Sequence, residues 1–263
     1  MRVYMVGGAV RSLLLGRAIR DRDFMFLGPE EDPGADFVAA FPTARKVGKH
    51  FAVYLVDGLE FAPARGASVA EDLLARDLTI NALALEVSHP HEALNHHAVE
   101  GDIPGRLHAH PQALADLRDR VLRPASSTAM EADPARVFRA ARFAAELPDF
   151  TPHPELLHTM RQAAEQNLLA NVAAERVGRE LLKALTAPAP ARFLEMLDAT
   201  RCLAPWFQEL AQARHIPAGP PPFHHADVLT HTMEVMTRLA PDPLRVWMGL
   251  AHDLGKCATD PAL

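Results

Sequence analysis

Two aspartates separated by one residue, Asp21 and Asp23, are the first side chains whose types and spacing could do chemistry. Alternate residues of a strand point to the same face, so a strand beginning here would bring both carboxylates together. Such a pair is costly unless cations neutralise it, and two Mg²⁺ ions about 3.5–4 Å apart use these oxygen ligands for in-line phosphoryl transfer. Glu60, on a neighbouring predicted hairpin, is a third candidate carboxylate. By itself, Asp-x-Asp is more often a solvated pair of turn residues.

The two glycines upstream make a phosphate-binding function more specific. Residues 2–6 have the pattern of a short strand, Gly7 and Gly8 follow it, and residues 9–15 have the pattern of a short helix that Gly16 terminates. A strand that runs through glycines into a helix lets backbone N–H groups approach a triphosphate. The glycines alone would equally serve a tight turn. Together with the aspartates, they favour nucleotide chemistry.

The elements that must position these residues form an α+β N-terminal part. Strands are predicted at residues 23–27 and in a hairpin, residues 51–56 and 59–62, that turns at Asp57-Gly58. Residues 78–87 are a short apolar run that fits a strand or a helix.

Beyond residue 124 the sequence pattern changes. Apolar residues there recur at a spacing of three and four residues, which predicts helices. The predicted helices span residues 135–145, 154–166, 173–185 and 190–199. A glycine and proline cluster at 218–222 predicts a linker. We therefore expect domains at residues 1–123, 124–215 and 216–263.

Composition bounds the class of protein. The 263 residues are 49% hydrophobic and 23% charged, as is ordinary for a globular protein, and the net charge of −6 requires any RNA-binding basic residues to be gathered on one face. Cys202 and Cys257 have no disulfide or zinc spacing. We expect no membrane association and a cytoplasmic location, because neither a signal peptide nor a long apolar stretch is present.

Four motifs stand in order along the chain: residues 6–16 with 21–23, residues 76–84, residues 133–143 and residues 175–181. Together they resemble the class II tRNA nucleotidyltransferase family, which includes CCA-adding enzymes and bacterial poly(A) polymerases. The resemblance implies a polymerase-β-like nucleotidyltransferase head with a small mixed sheet, followed by an all-α neck. It implies transfer of CMP or AMP from CTP or ATP to an RNA 3′-hydroxyl, most plausibly of tRNA, with two Mg²⁺ ions.

The same resemblance assigns roles to individual residues. Asp21 and Asp23 would hold the metal ions, and Asp133 and Arg136 would read the Watson–Crick edge of the incoming base. Their spacing of three places both on one helix face, although Asp133 before Pro134 is also suited to a helix N-cap. The other nucleotide-binding candidates are Gly7, Gly8, Arg11, Arg76, Asp77, Asn81, Arg139 and Arg142.

Some of these candidates have more than one expected role. Asn81 is expected to support the carboxylate strand. Arg139 and Arg142 are expected to contact either phosphates or buried acidic partners. Glu175-Arg176 is expected to form a structural ion pair rather than to take part in the chemistry.

Departures from the family pattern leave alternatives open. Only residues 66–71 lie between Arg65 and Asp72, where complete CCA-adding relatives have a much longer loop. The short loop favours CC addition over full CCA addition. The absence of an acidic residue at Ser12, and the residues Ala75 and Ala132, leave a non-catalytic nucleotide- or RNA-binding relative as an alternative.

Two histidine-containing regions remain. Six histidines between residues 89 and 110 are expected to lie in a solvated insertion rather than a metal site. His231 with His252-Asp253 resembles the start of an HD phosphohydrolase domain, whose later ligands would lie beyond Leu263. An HD-type metal phosphohydrolase in a longer chain is therefore a further alternative. The sequence does not indicate an oligomeric state.

Overall fold

The computed structural model describes residues 1–19, 21–29, 32–48, 52–94, 103–220 and 226–258. Contacts along the backbone divide the chain into two units, Met1–Asp119 and Arg120–Leu263. The three-part division expected from the sequence, with boundaries after residues 123 and 215, stays a prediction.

The first unit is built around a mixed sheet. Its strands are β1 (Arg2–Val6), β2 (Asp23–Leu27), β3 (Arg45–Val47), β4 (Val53–Val56), β5 (Leu59–Pro63), β6 (Leu83–Val87) and β7 (Leu107–Ala109). Its helices are α1 (Gly8–Leu14), α2 (Pro33–Ala40), α3 (Val69–Leu74) and α4 (Ala113–Asp119). Among the described residues the seven strands lie in the order β3-β4-β5-β2-β1-β6-β7, and β2 and β5 form the parallel pair. The expected α+β fold with a small mixed sheet is confirmed.

One face of this sheet carries a cluster of aromatic side chains. Alternation along β2 turns Phe24 and Phe26 to this face, where Phe24 stacks on Phe61 of β5 and Phe26 stacks on Phe37 of α2. All four rings are at most 2% exposed. Each stabilises the fold by about 1.5–3 kcal/mol through burial. Because neighbouring residues of a strand point to opposite faces, Asp23 lies on the other side of the sheet.

The segment that was ambiguous in the sequence divides into a turn and a strand. Thr79–Asn81 forms a buried 3₁₀ turn, and β6 begins at Leu83. Ala84 of β6 pairs with Val6 at the end of β1. The turn therefore ends close to the point where β1 runs into the two glycines.

The histidine-rich stretch is in part regular structure, which the sequence did not predict. Residues 95–102 lie outside the described residues. The expectation of a solvated insertion was wrong for β7, which pairs along β6 and forms the edge of the sheet. His108 of β7 packs edge-to-face on buried Tyr4, and its Nε2 lies 3.6 Å from a carboxylate oxygen of Glu86. A strand of three residues is too short to show a period of two.

The second unit is predominantly helical. Its helices are α5 (Ala129–Ala132), α6 (Ala135–Glu146), α7 (Pro154–Glu165), α8 (Ala174–Leu185), α9 (Ala191–Ala199), α10 (Gln208–Ala213), α11 (Val228–Leu239) and α12 (Pro243–Ala251). Two short parallel strands, β8 (Val121–Leu122) and β9 (Thr151–Pro152), precede and follow α6. The four helices predicted between residues 135 and 199 are confirmed to within one residue at each end. In the part of the chain that the structure describes, every helix is too short or too polar to cross a bilayer.

Helix α6 packs against both α8 and α9. Val137, Phe138 and Ala141 on it are fully buried, whereas Arg136 and Arg139 form a partly exposed polar stripe. A helix buried around most of its circumference holds its few polar side chains in fixed positions. Residues of α6 are therefore suited to recognition that requires exact placement.

A buried ion pair joins α6 to α8. Arg142 and Glu180 are 5% and 6% exposed, and Nε of Arg142 donates to the Glu180 carboxylate. A second nitrogen of Arg142 lies 2.6 Å from Glu146, and the guanidinium carbon lies 4.0 Å from the centre of the Phe143 ring. Of the two roles expected for Arg142, the described contacts match pairing with buried acidic residues.

Replacing Glu180 with alanine should lower the free energy of unfolding by about 3 kcal/mol, because Arg142 would keep a buried charge without its principal partner. Urea unfolding followed by circular dichroism measures this loss. Glu165, an exposed glutamate on α7, is the matched control, and its replacement by alanine should change the stability by less than about 0.5 kcal/mol. Equal effects of the two substitutions would contradict the importance of the buried pair.

Candidate nucleotide-binding and catalytic site

A row of residues crosses the sheet where β1 ends. Val6 pairs with Asp23 on antiparallel β2, and Asp23 pairs with Glu60 on parallel β5. Paired residues on adjacent strands share a face, so the two carboxylates project from the side opposite the aromatic cluster. Both residues are exposed. The structure thus places Asp23 and Glu60 side by side and next to the glycine turn.

Asp21 is placed differently from the expectation. Strand β2 begins at Asp23, so Asp21 lies in the preceding coil and the argument that both share a strand face was wrong. Asp21 is exposed and two residues from the row. Among the described residues, the group of three metal-ligating side chains that does converge lies in the second unit.

The donor chemistry of this row suits a hard divalent cation. Asp23 and Glu60 are exposed acidic residues, and Mg²⁺ prefers carboxylate oxygens together with water as its ligands. These residues fit the metal that the family pattern implies.

Two arginines border the glycine turn. Gly7 has φ of 69° and ψ of −131°, a conformation open to glycine alone, and its N–H donates to the Leu83 carbonyl at 3.0 Å. A Cβ atom added to Gly7 would lie 3.3 Å from Nη1 of Arg76, and one added to Gly8 would lie 3.6 Å from Nη2 of Arg11. The absence of side chains lets two guanidinium groups lie against the backbone of the turn. Such an arrangement can bind several phosphate oxygens at once.

Arg76 is held by a buried carboxylate. Asp72, 2% exposed, accepts from Nε of Arg76 at 2.8 Å, and Nη2 lies at the same distance. Asp72 was not among the candidate site residues predicted from the sequence. Its spacing of four residues from Arg76, which places the two side chains together on a helix, was a signal that could have found it.

Arg11 is held by a second buried carboxylate through an amide. Asp77 accepts from the N–H of Leu78 at 2.8 Å and from Nδ2 of Asn81 at 3.1 Å. The Asn81 amide oxygen then accepts from Arg11. Asn81 was expected to support the carboxylate strand, and the described contacts instead show it holding Arg11. Asp77 orients the amide and so fixes which end of Asn81 faces the arginine.

In the second unit, Asp133 is bound by Arg176. Two guanidinium nitrogens of Arg176 donate to the two Asp133 oxygens at 2.8 and 2.7 Å. The N–H of Ala135 also donates to Asp133 at 3.3 Å, which matches the expected capping of α6. Burial would raise the pKa of Asp133, but the hydrogen bonds and charge of Arg176, with Arg136 nearby, lower it below its usual range. The side chain is therefore an ionised acceptor at neutral pH.

Arg176 was expected to pair with its neighbour Glu175, and this was wrong. Glu175 is exposed in the first turn of α8, where adjacent side chains diverge by about 100° around the helix. Arg176 reaches back to Asp133 instead, across 43 positions of sequence. The prediction that Arg176 pairs with the adjacent residue was therefore wrong, because its partner is Asp133.

The other arginines of α6 differ in exposure. Nε of Arg136 lies 3.9 Å from Asp133, and its Nη1 donates to the Ala129 carbonyl at 3.1 Å. Arg139 is 38% exposed and lies 3.8 Å from Glu180. Arg136 is thus fixed beside Asp133, and Arg139 is the more accessible cation of the stripe.

The short connection between β5 and α3 is closed by hydrogen bonds. The Ser68 hydroxyl accepts from the N–H of Glu71 at 3.2 Å, and the Glu71 carboxylate accepts from the N–H of Ala67 at 2.9 Å. This is a reciprocal cap of the kind found at helix N-termini. A Cβ atom on Gly66 would lie 2.5 Å from the Glu71 carboxylate, so a side chain there would disturb the cap.

The three C-terminal candidates also come together. One ligand atom from each of His231, His252 and Asp253 lies within 4.8 Å of the others. Nδ1 of His252 lies 2.7 Å from the Gly249 carbonyl, which leaves Nε2 directed to Asp253 at 3.2 Å. The Lys256 ammonium also lies 2.9 Å from Asp253. It supplies a positive charge where a metal ion would otherwise bind.

Known proteins resemble the chain along both units. Residues 149–214 match a family model described as the probable RNA- and SrmB-binding site of polymerase A. The multifunctional CCA protein of Verminephrobacter eiseniae (strain EF01-2) is 36% identical over 98% of this chain and 64% of its own length. The chain therefore spans less than two thirds of that relative.

Solved structures share the fold. The Thermotoga maritima CCA-adding enzyme, in complex with a tRNA, superposes with a TM-score of 0.63 at 25% identity over 91% of this chain and 53% of that one. A tRNA nucleotidyltransferase in complex with a primer tRNA and an ATP analogue superposes with a TM-score of 0.58. The two sequences are 28% identical, and the match covers 81% of this chain and 64% of the other. Sequence similarity to CCA proteins extends through both units, and solved tRNA nucleotidyltransferases share the fold, so the chain is similar to the class II tRNA nucleotidyltransferase family in both units.

Proposed function

We propose that this chain transfers CMP, AMP or both from a nucleoside triphosphate to an RNA 3′-hydroxyl and releases pyrophosphate. The observation that carries the proposal is the row Asp23–Glu60 beside the Gly7–Gly8 turn and its two arginines. Carboxylates for cations and guanidinium groups for phosphates are the two components that phosphoryl transfer requires. The chain is similar along both units to CCA proteins, and a CCA-adding enzyme solved in complex with tRNA shares its fold.

The carboxylates would hold two Mg²⁺ ions, with Asp21 and Asp23 as principal ligands. When bound, the metal neutralises charge on the transferring phosphoryl group. Arg11 and Arg76 would bind the triphosphate against the glycine turn, which orients the α-phosphate for in-line attack.

The reaction makes one bond and breaks one. The 3′-oxygen of the RNA attacks the α-phosphorus, and the bond from that phosphorus to the bridging oxygen breaks, so that the electron pair leaves with pyrophosphate. We assign Glu60, whose carboxylate is exposed and in register with Asp23, to accept the proton of the 3′-hydroxyl.

Asp133 and Arg136 would read the base. An ionised carboxylate only accepts hydrogen bonds and a guanidinium only donates them. Cytosine and adenine each present an amino donor beside a ring-nitrogen acceptor, whereas uracil and guanine present a carbonyl acceptor in place of the amino group. The pair therefore suits CTP and ATP and disfavours UTP and GTP. Arg176 keeps Asp133 ionised and fixed in direction.

CC addition is favoured over full CCA addition. The connection at residues 66–71 is short and closed by the Ser68–Glu71 cap, so it lacks the length that the family associates with the change from C to A. The RNA would most plausibly be tRNA, and residues 149–214 are the part of the chain that supports RNA binding. We place this activity in the cytoplasm.

A second candidate function is metal-dependent phosphoester hydrolysis at His231, His252 and Asp253. Their convergence within 4.8 Å favours it, and two imidazoles with a carboxylate suit a borderline transition metal. Three donors fill half of an octahedral coordination sphere, so the remaining ligands would be water or further residues.

A tRNA lacking its CCA end, and a version ending in C, should be extended with CTP as far as CC, whereas a version ending in CC should not receive A. Asp23→Asn should lower the rate of addition at least about hundredfold because a metal ligand at the reacting phosphate is lost. Glu60→Gln should lower it by about the same factor because the group that accepts the 3′-hydroxyl proton is lost. Single-nucleotide gels with Mg²⁺ and CTP or ATP measure both results. Asp36→Asn, at an exposed position on α2, is the matched control and should leave the rate unchanged. A wild-type chain that binds CTP but extends none of the RNAs would contradict the proposal, and addition of A would refute the CC preference.

Arg176→Ala should reduce the preference for CTP over UTP by about tenfold, the value of one charge-assisted hydrogen bond. The reason is that Asp133 would lose the partner that lowers its pKa and fixes its direction. Competition between CTP and UTP in the extension assay measures the ratio. Arg179→Ala, at an exposed position three residues along α8, should leave it unchanged. An unaltered ratio in Arg176→Ala would remove Arg176 from base reading.

Cobalt titration of the Asp23→Asn variant should reveal a bound Co²⁺ whose absorption spectrum is lost on His252→Ala. Lys256→Ala should tighten binding, because the ammonium no longer occupies Asp253. His158→Ala, at an exposed histidine of the same unit, serves as the control. Identical cobalt binding in the His252 and His158 variants would exclude the cluster as a metal site.

A further inference from the structure

Asp72 is a buried carboxylate in a short helix. It lies on α3 and is 2% exposed. A charged group is retained in such a position only when every oxygen has a strong partner, since an unpaired buried charge costs several kcal/mol. Its partners therefore indicate what the carboxylate does in the fold.

Both oxygens of Asp72 are engaged, and by different parts of the first unit. One oxygen accepts from Nε of Arg76 at 2.8 Å and lies 2.8 Å from its Nη2. The other accepts from the N–H of Arg65 at 3.1 Å. Arg65 follows β5, the strand that carries Glu60. A single carboxylate thus joins the end of the Glu60 strand to the side chain of Arg76.

These contacts determine the direction of the Arg76 guanidinium. The group is planar, so once Nε and Nη2 face Asp72 the remaining nitrogen, Nη1, must point away along the opposite edge. Nη1 is the nitrogen that lies 3.3 Å from the Cβ position of Gly7. Arg76 is 14% exposed, so little freedom is left to it.

We infer that Asp72 is a positioning residue that sets the Arg76 guanidinium against the Gly7–Gly8 turn and thereby makes the site selective for a triphosphate. The inference rests on the proposed function, because it assumes that the turn receives phosphates. Preorganised donors bind developing or fixed charge more strongly than mobile ones, since no reorganisation is required on binding. Asp72 itself touches neither nucleotide nor metal in this account.

The test compares the affinities for CTP and CMP, which differ only in the phosphates that Arg76 would contact. The ratio of the two dissociation constants is measured by calorimetry with Mg²⁺ on the full chain. Asp72→Asn should reduce the preference for CTP about tenfold through a weaker CTP affinity, with CMP affinity unchanged. Arg76→Ala should reduce it at least as much. In the double variant, the Asp72 substitution should add nothing to the effect of Arg76→Ala.

Asp116 provides the matched control. It is a buried carboxylate of the same unit, 3% exposed, and accepts from the Thr79 hydroxyl at 2.7 Å. Asp116→Asn should lower the melting temperature as Asp72→Asn does, but should keep the wild-type ratio. If Asp72 had only a structural role, Asp72→Asn and Asp116→Asn would give the same ratio of dissociation constants for CTP and CMP.

The outcomes separate the inference from the proposed function. A wild-type chain with no preference for CTP over CMP would refute the proposed function, and the inference with it. A wild-type preference that is lost in Arg76→Ala but kept in Asp72→Asn would overturn the inference alone. If Asp72→Asn does not fold, Arg76→Lys decides, because one ammonium cannot face both Asp72 and Gly7. Loss of the ratio in that variant supports the inference, and a retained ratio overturns it.

Discussion

The register of β2 between β1 and β5 is the constraint on which the first unit depends. It sets Asp23 opposite Val6, where the chain enters the glycine turn, and beside Glu60 on the parallel strand. A slip by one residue would turn Asp23 into the aromatic face and Phe24 out to solvent. The stacked rings of Phe24 and Phe61 resist that slip, so the burial of apolar side chains also fixes the position of the carboxylates.

Acidic residues in both units act as partners that orient arginines. Asp72 holds Arg76, Asp133 holds Arg176, and Glu180 holds Arg142. Each pair removes one positive and one negative charge, so the net charge of −6 is unchanged and any basic residues that bind RNA must still be gathered on one face.

Local patterns in the sequence predicted the elements well, but they did not predict long-range partners. Alternation and three-to-four spacing located β1, β2 and the helices of the second unit, since both follow from side-chain direction alone. The partner of Arg176 lies 43 residues away, and Asn81 reaches Arg11 across 70, so neither contact leaves a local trace. The bounds of β2 were predicted correctly, but Asp21 satisfies the same alternation as Asp23 without lying on the strand, so alternation alone wrongly assigned both carboxylates to one strand face.

The ionised state of Asp133 also limits how this site could distinguish C from A. Because its pKa lies below the usual range, the carboxylate remains an acceptor throughout the neutral range and cannot become a donor. Cytosine and adenine offer the same donor and acceptor pair to such a site. A choice between them must therefore come from the difference in size between a pyrimidine and a purine. In the proposed function, the preference for C is linked to the short connection at residues 66–71, which the hydrogen-bonded cap at Ser68 and Glu71 closes.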